Sequence, residues 1–338
     1  MEWSGSPPEN RKLSELGEFG LIARLTGGLE LGPGVEVGVG DDAAVLEPSH
    51  GHKLVVTTDV LVEGLDFAAA LSEPEDWGWK AVAANLSDVA AMGAEARWLV
   101  LALTVPGPTP VATLERVYAG VGEACRAFGV ALVGGDVSAG PTLSLAVTAL
   151  GEAERPVLRS GARPGDRLCV TGPLGAAAAG LGLLQRGDRA AGELLGRFPG
   201  LAAAHRRPIP ALAMGLALAR AGAWAMIDVS DGLAGDALHL AEASGVGLEV
   251  HDATVPLAPG VAEAAALLGL DPLELALGGG EDFVLAAALP RAADLGGVLD
   301  CGRFTPDPGT RVRLTATGQR PLTGLAYDHF SAHFSAGG

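Results

Sequence analysis

Apolar residues recur along this chain in two rhythms, and the change from one to the other marks its elements. Short alternating or continuous apolar runs at Ala43–Leu46, Leu54–Val56, Arg97–Val105, Val130–Val133 and Thr142–Leu150 predict strands. A period near 3.6 predicts a helix that Ser14 caps, with Leu16, Phe19, Ile22 and Leu25 on one face and Gly27-Gly28 as its stop. The same period predicts helices over Glu75–Met92, ended by Gly93, and over Val111–Phe128. Beyond the polar, Pro-containing stretch Gly151–Arg163 the pattern starts again, with strands at Arg167–Val170, Ala225–Ile227 and Phe283–Leu289 and helices at Leu174–Leu184 and Leu233–Ala243. The expected fold is therefore mixed α/β in two domains, residues 1–150 and 151–338.

Polar residues break these rhythms at a few places, and the breaks resemble one another. Asp41 and Asp42 precede one predicted strand, and Thr57, Thr58 and Asp59 follow the next. Gly134, Gly135 and Asp136 end a third, Asp228, Ser230 and Asp231 a fourth, and Gly278, Gly279 and Gly280 lead into Glu281 and Asp282 before a fifth. Lys80, Asn85 and Asp88 lay a polar strip along an otherwise apolar helix, so each needs a partner or a metal if the strip is buried. Carboxylates and hydroxyls at strand ends beside glycine form an oxygen-only donor set, the set that a hard cation such as Mg²⁺ takes. Turn capping accounts for any one of these Asp residues; their recurrence favours a polyacidic metal site.

Composition narrows the partners. At 338 residues the chain holds two ordinary domains, and 49% hydrophobic with 4% aromatic residues means cores of Ala, Val and Leu. A net charge of −17 disfavours a nucleic-acid backbone and favours cations, or anions carried in with cations. The longest apolar stretch, Ala211–Ile227, is interrupted by Arg220, and the first residues lack a basic region followed by an apolar one, so a soluble cytoplasmic protein is expected. Cys125, Cys169 and Cys301 stand far apart in apolar surroundings and read as reduced core thiols rather than nucleophiles.

The familiar nucleotide motifs are absent. Gly38, Gly40 and Ala43 spell G-x-G-x-x-A, but Asp41 and Asp42 lie between them and a strand follows, which does not suit a bare pyrophosphate. None of Lys12, Lys53 and Lys80 follows a glycine, so there is no P-loop. Pro173 to Ala177 only faintly resembles the glycine loop of some small-molecule kinases, with alanines where hydroxyls are wanted.

In order and at matching spacing, the segments EFGLIARL, GVGDDAAVL, TTDVLVEGLDF, KAVAANLSDVAAMGA, LVGGDVSAGP, RSGARPGD, IDVSDGL, GGGEDF and YDHF resemble the thiamine-monophosphate kinase family, in the superfamily of aminoimidazole-ribonucleotide synthetase. The resemblance runs from about Gly17 to Phe330. It implies ATP-dependent phosphorylation of thiamine monophosphate to the diphosphate by direct transfer, several Mg²⁺ ions, and a homodimer whose N-terminal domains pair into a barrel. By the same resemblance Asp42, Thr57, Thr58, Asp59, Asp88, Asp136, Asp228 and Asp231 hold Mg²⁺. ATP meets Tyr118, Gly135, Asp136, Arg159 and Ser230, while Asp66, Glu281 and Tyr327 lie on the substrate side. Asp231, Asp136 and Arg159 are the candidates for the catalytic roles. The family usually reads V-E-G-V-H-F where this chain has Val62 to Phe67, so Asp66 replaces an expected His.

The chemistry agrees with what is missing. A phosphate monoester is already an anionic nucleophile at pH 7, so its phosphorylation needs charge neutralisation more than a general base. Two other readings stay open: another ATP-dependent enzyme of the superfamily such as aminoimidazole-ribonucleotide synthetase, and a Mg-nucleotide-binding protein that has lost turnover.

Overall fold

The computed structural model describes residues 21–22, 24–27, 32–39, 43–293 and 295–322. The chain divides between Pro156 and Val157 into two compact units. The break falls inside the polar stretch expected to separate the domains, a few residues beyond Gly151, because the strand through Gly151 continues to Ala153.

In the first unit a short antiparallel pair, β1 (Val35–Val37) and β2 (Val45–Leu46), precedes a four-stranded sheet. That sheet is built from β3 (Lys53–Val62), β4 (Glu95–Val105), β5 (Ala131–Ala139) and β6 (Ser144–Ala153), in the order β3-β6-β4-β5. Helices α1 (Pro74–Ala91) and α2 (Val111–Phe128) cover one face. Period-two alternation sets that face: Leu99, Leu101 and Leu103 of β4 and Leu145, Val147 and Ala149 of β6 are buried. On β3 the opposite residues Leu54, Val56 and Val60 are exposed, Val56 at 60%.

The second unit is a seven-stranded mixed sheet, β13-β12-β9-β11-β7-β10-β8. Its strands are β7 (Arg167–Val170), β8 (Ala225–Asp228), β9 (Gly247–His251), β10 (Leu285–Leu289), β11 (Leu299–Thr305), β12 (Arg311–Thr315) and β13 (Gly318–Pro321). Its helices are α3 (Ala176–Arg186), α4 (Arg189–Arg197), α5 (Pro199–Arg206), α6 (Leu212–Arg220), α7 (Leu233–Ser244), α8 (Val261–Leu268) and α9 (Pro272–Gly278). Leu233, Ala237 and Leu240 of α7 join Leu168, Val170, Ile227 and Leu248 of the strands in one core. Leu183, Leu194, Leu201 and Val261 knit α3, α4, α5 and α8 into another.

Strands β10 and β7, and β10 and β8, are antiparallel, with Leu285 opposite Asp228 and Ala286 opposite Val170. The start of β10 therefore lies at the same end of the sheet as the ends of β7 and β8. Three loops gather there, 171–175, 229–232 and 279–284, at the carboxyl ends of two strands, where open α/β sheets commonly bind ligands.

Two expectations need correction. Thr57, Thr58 and Asp59 do not follow a strand but lie in the middle of the ten-residue β3, and Asp136 lies within β5 rather than after it. The ladder is made by backbone groups, so pairing with β6 and β4 carries both strands through residues whose side chains look like turn formers. The expected first helix is described only at 21–22 and 24–26, where Leu21 and Leu25 are buried; Ser14, Leu16 and Phe19 lie outside the described residues.

Candidate active site

In the first unit the polar strip of α1, buried at Lys80 and Asn85 and half-buried at Asp88, serves β3. Lys80, 3% exposed, donates from Nζ to the Asp66 carbonyl oxygen at 2.9 Å. Asn85 is fully buried; its Oδ1 accepts the Asp59 N–H at 3.0 Å and its Nδ2 donates to Ala81 O at 2.9 Å. The Thr57 hydroxyl donates to Asp88 Oδ2 at 2.5 Å. Thr57, Asp59 and Asp88 are thus brought together. Thr58 is not, because its side chain leaves from the other side of the pleat and donates to Val147 O at 2.9 Å.

Tyr118, Gly135 and Asp136 line one cleft with Ile22, Thr26, Val39 and Leu132. Burial pushes the Tyr118 phenol up to about 12, so it stays a neutral hydrogen-bonding group there. Gly135 has a steric reason: a Cβ at this position would fall onto the Leu101 carbonyl oxygen of the neighbouring strand. Asp136 is exposed at the cleft and accepts from Ser138 Oγ at 2.9 Å. Arg159 is exposed near the start of the second unit.

In the second unit Asp228 ends β8 and is 3% exposed, with Ser230 and Asp231 on the turn into α7. Gly232 is the N-cap of α7, so helix capping does not account for Asp231. Asp236, which motif reading passed over, belongs to this group: it is 2% exposed, and its Oδ2 accepts the Asp231 N–H at 3.2 Å. Burial, then the charges of Asp228 and Asp231, push its carboxyl up to about 8, against the pull of the Asp231 and Ser230 N–H groups. The signal available in the sequence was its place one turn into the helix behind DVSDG, on the same face as Leu233, Ala237 and Leu240.

The third loop packs on this turn. Glu281 N donates to Ser230 O at 2.7 Å and Phe283 N to Val229 O at 2.9 Å. Among the described residues, Glu281 (φ 58°) and Phe283 (φ 48°) are the two non-glycines with positive φ. Between them the Asp282 carboxylate accepts the Gly175 N–H at 2.7 Å, at the N-terminus of α3. The faintly phosphate-loop-like Pro173–Ala177 segment therefore has a carboxylate of its own chain where a phosphate loop would hold its ligand.

The curated thiamine-monophosphate kinase of Mycobacterium tuberculosis is 41% identical over 282 residues, 82% of each chain, and that of Synechococcus elongatus is 38% identical over 96% of this chain and 99% of the relative. This chain belongs to the thiamine-monophosphate kinase family. The family models described as AIR synthase related protein, N-terminal and C-terminal domain, match residues 40–153 and 163–300. The solved structure of AaThiL complexed with AMPPCP and TMP superposes with a TM-score of 0.77 at 35% identity, covering 95% of this chain and 99% of that one.

Within this family frame, Asp66 has a local role that sequence did not reveal. Its Oδ2 accepts the Val62 N–H at 2.7 Å and closes the turn after β3, while Lys80 holds its carbonyl. Asp42 and Tyr327 lie outside the described residues. Among the described residues no three His, Cys, Asp or Glu side chains converge as a ready-made metal cage. The three cysteines are free and buried, and burial pushes the Cys125 and Cys169 thiols up to about 12, which makes them poor nucleophiles at neutral pH. No described helix is long and apolar enough to cross a membrane.

Proposed function

We infer that the protein transfers a phosphoryl group from ATP to thiamine monophosphate, giving thiamine diphosphate. The observation that carries this reading is the near full-length match to a relative of the same fold that holds AMPPCP and TMP.

We assign to ATP, as the family resemblance implies, Tyr118, Gly135 and Asp136 of the first unit's cleft and, of the second unit, Ser230 and Arg159, whose positive charge suits phosphate oxygens. Glu281, Asp66 and Tyr327 are assigned to the substrate. Asp66 is held by its own turn and offers a fixed negative charge to the cationic thiazolium. The acceptor phosphate attacks without a general base, so these residues act by binding and orienting.

The oxygen-only donor set fits Mg²⁺. In the second unit, Asp228 ends β8 and Asp231 follows on the turn, with the buried Asp236 accepting the Asp231 N–H. Asp42, Thr57, Thr58, Asp59, Asp88, Asp136, Asp228 and Asp231 are the proposed ligands, Thr58 through its backbone, since its hydroxyl is engaged with β6. Bound Mg²⁺ supplies neutralisation of phosphate oxygens and of the developing transition-state charge. Residues around it position it: Asn85 fixes the Asp59 backbone and Asp236 that of Asp231.

A second copy of the chain is the proposed occupant of the open face of the first unit's sheet, where Leu54, Val56 and Val60 are exposed. Pairing two such sheets into a barrel would bury them, in a homodimer.

The test is direct. Purified protein with ATP, Mg²⁺ and thiamine monophosphate should yield thiamine diphosphate by chromatography, and EDTA should abolish the yield while the far-UV spectrum keeps its folded shape. Wild-type protein that forms no thiamine diphosphate, or forms it undiminished in EDTA, overturns the reading or its metal part respectively.

A further inference from the structure

We propose that His205 is a positioning residue that fixes the Glu281 carboxylate for the non-phosphate end of the substrate; this rests on the reading above that Glu281 meets thiamine monophosphate. The backbone of Glu281 is held unusually firmly. It sits in the left-handed region at φ 58°, its N–H is bound to Ser230 O at 2.7 Å, and the neighbouring Asp282 and Phe283 are tied to Gly175 and Val229. Backbone strain of this kind persists where surrounding structure over-determines it, and it clusters at ligand clamps.

Pinning the backbone does not place the carboxylate, because a glutamate keeps three side-chain torsions beyond its Cα. His205 supplies a constraint on the carboxylate itself. It lies in the last turn of α5, 6% exposed, with Nδ1 3.1 Å from Glu281 Oε2. An ionised carboxylate only accepts, so Nδ1 carries the proton and donates. The neighbouring buried residue of α5, Leu201, packs into the helical core that joins α3, α4 and α8. An aliphatic side chain at 205 would fill the same space, whereas a buried imidazole is costly unless its polar atoms are used. Its use is to hold one carboxylate oxygen at a fixed point on a helix that is itself rigidly packed. Glu281 keeps 31% of its side chain exposed, so the carboxylate so held remains accessible to a ligand.

The experiment separates donation from packing with two variants. His205→Phe keeps a buried ring and removes the donor; His205→Asn keeps an N–H donor where Nδ1 stands and shrinks the side chain. The KM for thiamine monophosphate in His205→Phe should rise about tenfold, the worth of one hydrogen bond to a charged group, with kcat and the KM for ATP within about twofold of wild type. In His205→Asn that KM should stay near the wild-type value even if Tm falls. In a Glu281→Gln background, His205→Phe should add little, since both changes remove the same contact.

An unchanged KM for thiamine monophosphate in His205→Phe overturns the proposal, as does an equal rise for both substrates. Should His205→Phe fail to fold, His205→Asn decides alone: KM impaired for thiamine monophosphate overturns, and KM retained supports. Wild-type protein that does not turn over thiamine monophosphate overturns the functional reading and this proposal with it, which distinguishes that failure from one confined to His205.

Discussion

Asp231 stands on a turn whose helix is capped by Gly232, and its backbone N–H is taken by the buried Asp236. Its carboxylate is therefore not spent on starting α7. If it holds a cation at the transferring phosphate, Asp231→Asn keeps the shape and removes the charge, and kcat should fall about 10²- to 10³-fold. Stability should change by less than about 0.5 kcal/mol, or rise, because the variant relieves repulsion with Asp228. Steady-state rates and a denaturant melt of that one variant settle it, and undiminished turnover would remove Asp231 from the site. The sequence shows Asp228 and Asp231 as a spaced pair beside glycine. It does not show Asp236 as their companion, because an acidic residue one turn into a helix is ordinarily solvated, and only packing on the sheet makes this one 2% exposed.

At the scale of elements, two features join segments that are far apart in sequence. Helices α1 and α2 cross so closely that a Cβ on Gly120 would fall onto the Glu75 carbonyl oxygen, and one on Gly78 onto that of Val117. Gly120→Ala, although alanine is the better helix former, should cost about 1–3 kcal/mol in a urea melt, because backbone cannot yield as a side-chain end can. A midpoint equal to wild type would mean that the helices slide apart freely. The second feature is the Asp282 carboxylate at the start of α3. Desolvation, foremost, and the charge of Glu281 push it up to about 7, against three backbone N–H groups that favour its charged form. Between pH ~4 and ~7 the folded protein thus keeps a proton that an unfolded Asp has released, so this group's contribution to stability is greatest near pH 4 and falls as pH rises through 7. Asp282→Asn should flatten the difference in Tm between pH 4.5 and 7.5 relative to wild type, and an identical pH dependence would show that Asp282 does not titrate there. The helices on both sides of these contacts were legible from a 3.6 period. The contacts themselves were not, because period says which face is buried and nothing about what the face meets.

For the whole molecule, the first unit's sheet has one face under helices and the other open along β3. Val56→Lys with Val60→Asp places charges on that open face, away from the buried Val55 and Leu61. Light scattering should report a dimer for wild type and a monomer for this variant, with little loss in the far-UV spectrum. Wild type that is already monomeric at micromolar concentration would refute the dimer. Alternation in the sequence announced a two-faced sheet, but exposed valines on a strand read equally as core until the helices are seen to lie on the other side.

The sequence by itself determined the mixed α/β class and the family, because periodicity and motif spacing are properties of neighbours along the chain. Only the tertiary structure decided that Thr57, Thr58 and Asp59 lie within a strand, so that alternation sends Thr57 to Asp88 and Thr58 to Val147. It alone turned Asp66 onto its own turn, put Asp282 at a helix 107 residues away, and set His205 on Glu281. Each of these depends on desolvation and on hydrogen bonds between groups distant in sequence, and those exist only once the sheets have been packed.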